Sequence, residues 1–154
     1  MKYIGDINQI PKEFIWEDVG LTTKEIGKFV GSEKIYVNLD IVSSQTYSTK
    51  YHSHSQQEEF FFIISGNGVL RLNNQEKKIS AGNFIAKPSG KNIAHTFYNP
   101  NQEPLVILDI GTIESEDTCY YPDEDINVHK AANGVKHIYK SDTLLKDWTS
   151  EPNK

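Results

Sequence analysis

The chain has 154 residues, which is enough for one domain with a hydrophobic core of its own. Its formal net charge is −5 at pH 7, which disfavours a nucleic-acid partner, because binding to phosphates favours a basic surface. Its one cysteine, Cys119, has no second cysteine with which to form an intramolecular disulfide bond. The first residues lack the continuous apolar core of a signal peptide, and no apolar run has transmembrane length. We therefore expect a cytoplasmic protein without a membrane partner.

In chain order, the predicted elements are short strands closed by turn residues. The first thirty-odd residues mix polar and aromatic positions, which indicates an irregular arm. From Lys34 the sequence KIYVNLDIV alternates apolar and polar residues, a period typical of a strand with one buried face. Further short segments end at Gly, Pro or Asn: FFFIIS, GVLRLNN, KKISAG, NFIAKP, AHTFYN and LVILDIG. The helix candidates are a turn near Lys24 and the segment from Ser141 to Trp148.

Regularly spaced short strands with turn signals predict an all-β sandwich or barrel. We expect residues 1–33 to form an N-terminal arm and residues 34–113 to form the β-barrel. Residues 114–154 are then a C-terminal extension that packs on the barrel or is frayed.

Histidines and carboxylates suggest a metal site. His52 and His54 are two residues apart, so in a strand their side chains share one face. Glu59 follows after a polar bend, and His95 comes early in a later strand. Three imidazoles and a carboxylate leave one or two open positions and suit Fe(II), Mn(II), Ni(II), Cu(II) or Zn(II), whereas calcium and magnesium prefer oxygen ligands. Taken alone, a His-x-His pair is more often hydrogen-bonding or exposed, and Glu58 competes with Glu59 for the carboxylate role.

The order of these residues resembles the two motifs of the cupin superfamily, G-x5-H-x-H-x3,4-E-x6-G and G-x5-P-x-G-x2-H-x3-N. The residues that carry the resemblance are His52, His54, Glu59 and Gly66 in the first motif, then Gly82, Pro88, Gly90, His95 and Asn99 in the second. Thr46 stands where the first motif begins with glycine, and four residues rather than two separate Gly90 from His95. The spacing to Gly66 favours Glu59 over Glu58.

The resemblance implies a double-stranded β-helix, or jelly roll, with one divalent metal ion inside. The implied ligands are His52, His54, Glu59 and His95. The chain also resembles small bacterial single-domain cupins in which a Tyr-x-Asp-x-Asp segment follows the barrel. The resemblance implies no particular reaction.

That later segment contains Tyr121, Asp123 and Asp125. Its acids could line the mouth of the barrel or bind a second cation, although an Asp-rich turn is usually solvated. His129 and His137 lie outside both motifs, and we interpret them as surface or packing residues unless the tail folds back over the barrel.

The aromatic run after Glu59 has two faces. Phe61 and Ile63 share parity with Glu59 and are predicted to point inward, whereas Phe60 and Phe62 point the other way. An aromatic outer face makes a homodimer plausible.

Three functions fit the sequence. The first is a mononuclear metalloenzyme, an oxygenase, isomerase or lyase, acting on a small chelating organic molecule. The second is a binding or sensor module in which the metal orients a ligand without turnover. The third is a metal-free structural protein with hydrogen-bonded histidines, which the complete set of ligand types disfavours.

Overall fold

The computed structural model describes residues 3–154, which form antiparallel β-sheets with little helix, so the all-β prediction is confirmed. The strands are β1 (Ile15–Asp18), β2 (Leu21–Lys24), β3 (Ile35–Val42), β4 (Thr46–Tyr47), β5 (Ser53–His54), β6 (Glu59–Ser65), β7 (Asn67–Leu72), β8 (Gln75–Ser80), β9 (Phe84–Lys87), β10 (His95–Asn99), β11 (Leu105–Thr112), β12 (Asp117–Tyr121), β13 (Ile126–Lys130), β14 (Lys136–Lys140) and β15 (Thr143–Leu145). The helical elements are two 3₁₀ turns (Ile7–Gln9, Lys12–Phe14) and helix α1 (Ile26–Phe29). Within residues 3–154, no helix has the length and apolar character needed to cross a membrane.

The largest sheet has six strands in the order β1-β2-β3-β11-β6-β9. Strand β6 alternates as predicted, because Phe61 and Ile63 are buried, whereas Phe60 and Phe62 are 39% and 37% exposed on the outer face. The homodimer suggested by this outer face stays a prediction.

The inner face of the six-stranded sheet and a four-stranded sheet, ordered β4-β10-β7-β8, share one core. Phe97 from β10 contacts the Phe61 ring of β6 edge to face, with centroids 5.1 Å apart. Removing these side chains from water is the main source of stability. The buried core residues are Val42, Phe61, Ile63, Leu70, Ile79, Phe97, Leu105 and Ile107.

The N-terminal arm is more regular than its composition indicates. Strands β1 and β2 form a hairpin, and β2 pairs with β3 in a register that places Leu21 opposite Val42. Helix α1 confirms the turn predicted near Lys24 and packs on β3, where the α-carbon of Gly27 lies against Val37.

The chain after β11 forms a third sheet, ordered β15-β14-β13-β12-β5. This sheet includes β5, so it is joined to the segment that carries His54, which lies opposite Cys119 of β12. The predicted helix from Ser141 to Trp148 is wrong. Ser141 adopts a positive φ of 51° and reverses the chain, after which Thr143–Leu145 pairs with β14 as an edge strand.

Two glycines of the motifs, Gly66 and Gly82, differ in what a larger side chain would meet. Both have positive φ, 83° at Gly66 and 89° at Gly82, but a Cβ atom at Gly66 would collide with the carbonyl oxygen of Pro104, whereas at Gly82 it would meet nothing within 4 Å. We expect Gly82→Ala to lower the free energy of unfolding by about 1–2 kcal/mol, the cost of the left-handed conformation. Gly66→Ala should cost a further ~1–3 kcal/mol from overpacking. Urea denaturation of both variants measures the difference, and equal losses would contradict the predicted contact.

Candidate metal centre

His52 and His54 face each other inside the protein. The backbone of His52 pairs with His95 of β10 in an antiparallel bridge, and His54 pairs with Cys119 of β12. The two Nε2 atoms are 3.0 Å apart, and both imidazole side chains are largely removed from solvent.

The other ring nitrogen of each histidine has an acceptor. Nδ1 of His52 lies 2.8 Å from the carbonyl oxygen of Lys50, and Nδ1 of His54 lies 2.5 Å from Oδ2 of Asp117. Carbonyl and carboxylate oxygens accept, so both Nδ1 atoms donate and each neutral ring keeps its lone pair on Nε2. Two lone pairs at this distance repel each other unless a proton or a metal ion lies between them. In proteins, a hydrogen bond from one ring nitrogen to an oxygen commonly orients a histidine whose other nitrogen binds a metal ion.

The pKa values of His52 and His54 shift in opposite directions. Burial lowers the pKa of His52 to about 3, so His52 is neutral. Burial also opposes charge on His54, but the hydrogen bond with Asp117 and the nearby charge of Glu59 prevail and raise the pKa of His54 to about 9. In the metal-free protein at neutral pH, a proton on Nε2 of His54 therefore donates to His52.

Glu59, and not Glu58, faces the histidines. Its carboxylate is buried, and Oε1 lies 3.5 Å from Nε2 of His54. Tyr36 Oη and Gln57 Nε2 are each 3.2 Å from the same oxygen. Glu58 is exposed on the opposite face, so Glu59 is the acid that lies beside the histidines. The role of Glu59 as a metal ligand stays a prediction. One nitrogen from each of His52 and His54 and one oxygen of Glu59 lie within 4.8 Å of one another, a spacing that one metal ion can span.

His95 is buried next to this group but makes a different contact. Its ring centroid is 5.0 Å from that of His52, and its Nδ1 lies 2.7 Å from Nζ of Lys87. A lysine ammonium only donates, so Nδ1 of His95 accepts and its proton is on Nε2. The two extra residues before His95 fit into a turn in which Gly90 and Asn92 have positive φ. The role of His95 as a metal ligand stays a prediction.

Lys87 is one of the site residues that the sequence reasoning missed, together with Tyr36, Asp109 and Asp117. It ends β9 directly opposite Glu59 in the sheet and is only 1% exposed. Its ammonium forms an ion pair with Oε2 of Glu59, an oxygen with no hydrogen bond of good geometry in residues 3–154. Burial lowers the pKa of Lys87. Alternation along FIAK, with Ile85 and Lys87 of one parity, is the signal that could have found it.

A second set of acids lies beside Glu59. The hydroxyl oxygen of Tyr36 is 3.1 Å from Oδ1 of Asp109, in addition to its contact with Glu59. Burial raises the pKa of Asp109 well above its ordinary value and that of Asp40 to about 6. These groups and the histidines line one cavity of about 240 Å³, which also includes Thr49. Such a cavity suits a small polar molecule that exchanges protons with the protein.

The other acids and histidines that the sequence singled out lie elsewhere. Asp123 forms a two-point ion pair with Arg71, at 2.6 and 2.9 Å, and Asp125 accepts a hydrogen bond from Tyr120. His129 and His137 lie opposite each other on β13 and β14. None of these residues lines the cavity described above.

Comparison with known proteins bears on the fold and the family of the chain. Residues 39–111 match the family model described as Cupin domain. No curated protein matches the chain.

Among solved structures, the chain is similar to a sugar phosphate isomerase of the cupin superfamily from Silicibacter pomeroyi, with 29% identity over 80% of this chain and 78% of the other and a TM-score of 0.77. It is also similar to a protein named as a candidate sugar phosphate isomerase from Acidithiobacillus ferrooxidans, with 27% identity over 82% and 81% of the two chains and a TM-score of 0.76. A Photorhabdus luminescens protein with 23% identity, covering 72% and 90% of the chains at a TM-score of 0.59, shares the fold. The jelly-roll prediction is confirmed.

The Glu59–Lys87 pair gives a prediction that needs no metal. Lys87→Met removes the cation that pairs with Oε2 of Glu59 and leaves only protonated His54, 3.5 Å from Oε1, to balance the buried carboxylate. Breaking a buried pair costs about 3–5 kcal/mol. We expect that loss in the free energy of unfolding of the metal-free protein, measured by urea denaturation. The double variant Lys87→Met/Glu59→Gln removes both charges and should recover much of it. Lys77→Met, at an exposed position of β8, is the control and should change stability by less than ~0.5 kcal/mol. A Lys87→Met variant as stable as this control would contradict the buried pair.

Proposed function

We propose that the protein is a metal-dependent isomerase that acts on a small sugar phosphate, with His52, His54 and Glu59 holding one divalent transition-metal ion. The observation that carries the proposal is the pair of Nε2 atoms 3.0 Å apart beside the Glu59 carboxylate. Each Nδ1 is already bonded to an oxygen, so both rings present their free nitrogen to the same point. Fe(II), Mn(II), Ni(II), Zn(II) and Cu(II) all suit such a donor set.

His95 would be a fourth ligand only after Lys87 leaves its Nδ1. With Lys87 in place, its ammonium contacts both Oε2 of Glu59 and Nδ1 of His95 and balances the charge of Glu59. The proposal therefore rests on three ligands and treats His95 and Lys87 as one hydrogen-bonded pair at the rim of the site.

A bound divalent ion would polarise the carbonyl oxygen of a chelating substrate and stabilise negative charge on it. Side chains of the protein would transfer the protons. Asp109 lines the cavity, is half-buried and carries a raised pKa, as expected for a group that takes and returns protons. Tyr36 lies between Asp109 and Glu59, where its hydroxyl can pass a proton between oxygens.

The proposed reaction interconverts an aldose and a ketose. A carboxylate removes the proton from the carbon that bears the hydroxyl group and delivers it to the neighbouring carbonyl carbon. The hydroxyl proton moves to the former carbonyl oxygen. No atom is gained or lost, so the reaction needs no oxidant and no second substrate. Asp109 is our candidate for the carboxylate, and Tyr36 for the transfer between oxygens.

Two further observations favour this reaction among those that the sequence left open. The chain is similar over about four-fifths of its length to two cupins named for sugar phosphate isomerisation. The cavity is also lined by several acids, Glu59, Asp40 and Asp109, rather than by apolar groups alone. The alternative function, a metal-dependent binding or sensor module, shares the ligands and differs only in lacking turnover.

Metal binding provides the first test. Glu59→Gln keeps the size of the side chain but removes its charge, so we expect affinity for Mn(II) or Zn(II) to fall by about ten- to a hundredfold in isothermal titration calorimetry. Glu58→Gln is the matched control, because Glu58 is exposed, and it should bind like the unchanged protein. A metal must displace the proton on His54, whose pKa is about 9, so affinity should weaken steadily as the pH falls from 9 to 6. Equal affinity of the two variants would contradict the ligand set.

Turnover provides the second test. Aldose and ketose phosphates of three to six carbons, incubated with metal-loaded protein in deuterium oxide, should exchange one carbon-bound proton, as seen by NMR. Asp109→Asn should lower that rate by about a hundredfold or more while leaving metal binding intact. Asp142→Asn, at an exposed turn, is the control. The rate should rise with pH through the raised pKa of Asp109, because only the carboxylate form takes a proton. A substrate that raises the melting temperature but is recovered without deuterium would favour the binding module.

A further inference from the structure

A second cavity adjoins the candidate metal centre on the side of the third sheet. It has a volume of about 470 Å³ and shares His54 and Gln57 with the first cavity. Its wall is one face of the third sheet, and its rim includes Thr149 and Ser150. A molecule that reaches His54 from this side would therefore lie along the C-terminal strands.

The third sheet aligns its residues in rows across the cavity wall. One row runs from His54 through Cys119 and Val128 to Ile138. The next row, two residues along the strands, places Lys130 opposite Lys136. At ordinary strand spacings of ~4.8 Å between strands and ~3.3 Å per residue, the α-carbon of Lys130 is about 12 Å from that of His54. A lysine side chain that extends toward His54 would reduce the remaining gap between its ammonium and His54 to about the length of a small sugar.

Lys130 and Lys136 are cations without a carboxylate partner. Neither forms an ion pair within 4.0 Å in the described part of the chain, and Nζ of Lys130 donates only to the carbonyl oxygen of Glu114. Asp117 lies opposite Lys130 in the sheet, but its carboxylate is taken by His54, Ser55 and the amide of Gln56. Like charges directly opposite each other destabilise a sheet. A bound anion would remove that repulsion.

Cations around a neighbouring cavity behave differently. Arg71, the only arginine of the chain, is held at two points by Asp123, and Lys50 pairs with Glu124 at 2.6 Å. These groups are neutralised by the protein itself. Lys130 and Lys136 lie opposite each other on one cavity wall, which concentrates positive charge there although the chain has a net charge of −5.

We propose that Lys130 and Lys136, with the hydroxyl groups of Thr149 and Ser150, form a phosphate-binding subsite that orients the substrate toward His54. Lysine ammonium groups bind phosphate as point charges, and serine and threonine hydroxyls add neutral donors. The subsite deepens the proposed isomerase function and rests on it for the identity of the substrate. It explains why the C-terminal strands adjoin the centre: they hold the end of the substrate that does not react.

The test begins without metal and without turnover. Inorganic phosphate is titrated into the metal-free protein and followed by ¹H–¹⁵N NMR. We expect shift changes that saturate at millimolar phosphate and centre on residues 130, 136, 149 and 150. The double variant Lys130→Gln/Lys136→Gln should weaken this binding at least tenfold. The control is Lys77→Gln/Lys78→Gln on β8, which makes the same change in net charge at exposed residues.

A second measurement uses the metal-loaded protein and compares a sugar phosphate with the same sugar lacking phosphate. The double variant should raise KM for the phosphorylated substrate at least tenfold, with a smaller change in kcat, and leave KM for the free sugar unchanged. Phosphate binding that persists in the double variant, or no binding by the original protein, overturns the subsite. Turnover of a sugar phosphate with unchanged KM in the double variant overturns the subsite but supports the isomerase. Lysine-dependent phosphate binding without any turnover supports the subsite and contradicts the isomerase.

Discussion

The candidate site depends on one extended segment of three residues that pairs with a different strand at each end. His52 bonds through its backbone to His95 of β10, and His54 pairs with Cys119 of β12. Residues two apart in an extended chain point the same way, so this double attachment fixes both imidazoles toward one point. Neither sheet alone would do this, since one pairing leaves the other end of the segment free to rotate. The separation of the two Nε2 atoms is thus a property of the junction between sheets.

Charge inside the protein is arranged around that junction. Glu59 brings a buried negative charge near the histidines, and Lys87 arrives opposite it from β9. Isolated buried charges are costly, so the two residues are tolerated because they occur as a pair. Asp117 forms a similar pair with His54, at Nδ1 of the ring, whereas Glu59 lies near Nε2. Each acid thereby has a defined partner, and the sign of charge alternates from Lys87 through Glu59 and His54 to Asp117.

Much of this arrangement follows from local sequence patterns. Alternation in KIYVNLDIV and in the phenylalanine run determines which face of a strand is buried, and the spacing of histidines, glutamate and glycines was enough to recognise the cupin motifs. Glu59 faces the histidines for the same reason that Phe61 and Ile63 are buried.

What the sequence did not reveal depends on contacts between distant segments. Lys87 looks like an ordinary charged residue before a proline, and only its register opposite Glu59 shows that it is buried. Asp117 is 63 residues from His54 in the chain. The segment from Ser141 to Trp148 has helix-forming residues, but pairing with β14 outweighs that weak local preference.

His54 lines both cavities, so its imidazole ring also forms part of the wall between them. The ring is a partition between an inner chamber lined with acids and an outer one that contains unpaired lysines. Because Asp117 fastens the ring from the outer chamber, the chain after β11 sets the position of the wall that the two chambers share. Changes in the C-terminal strands would therefore move this shared wall without replacing any residue that lines only the inner chamber. The shape of the outer chamber and the chemistry of the inner one can in this way change independently.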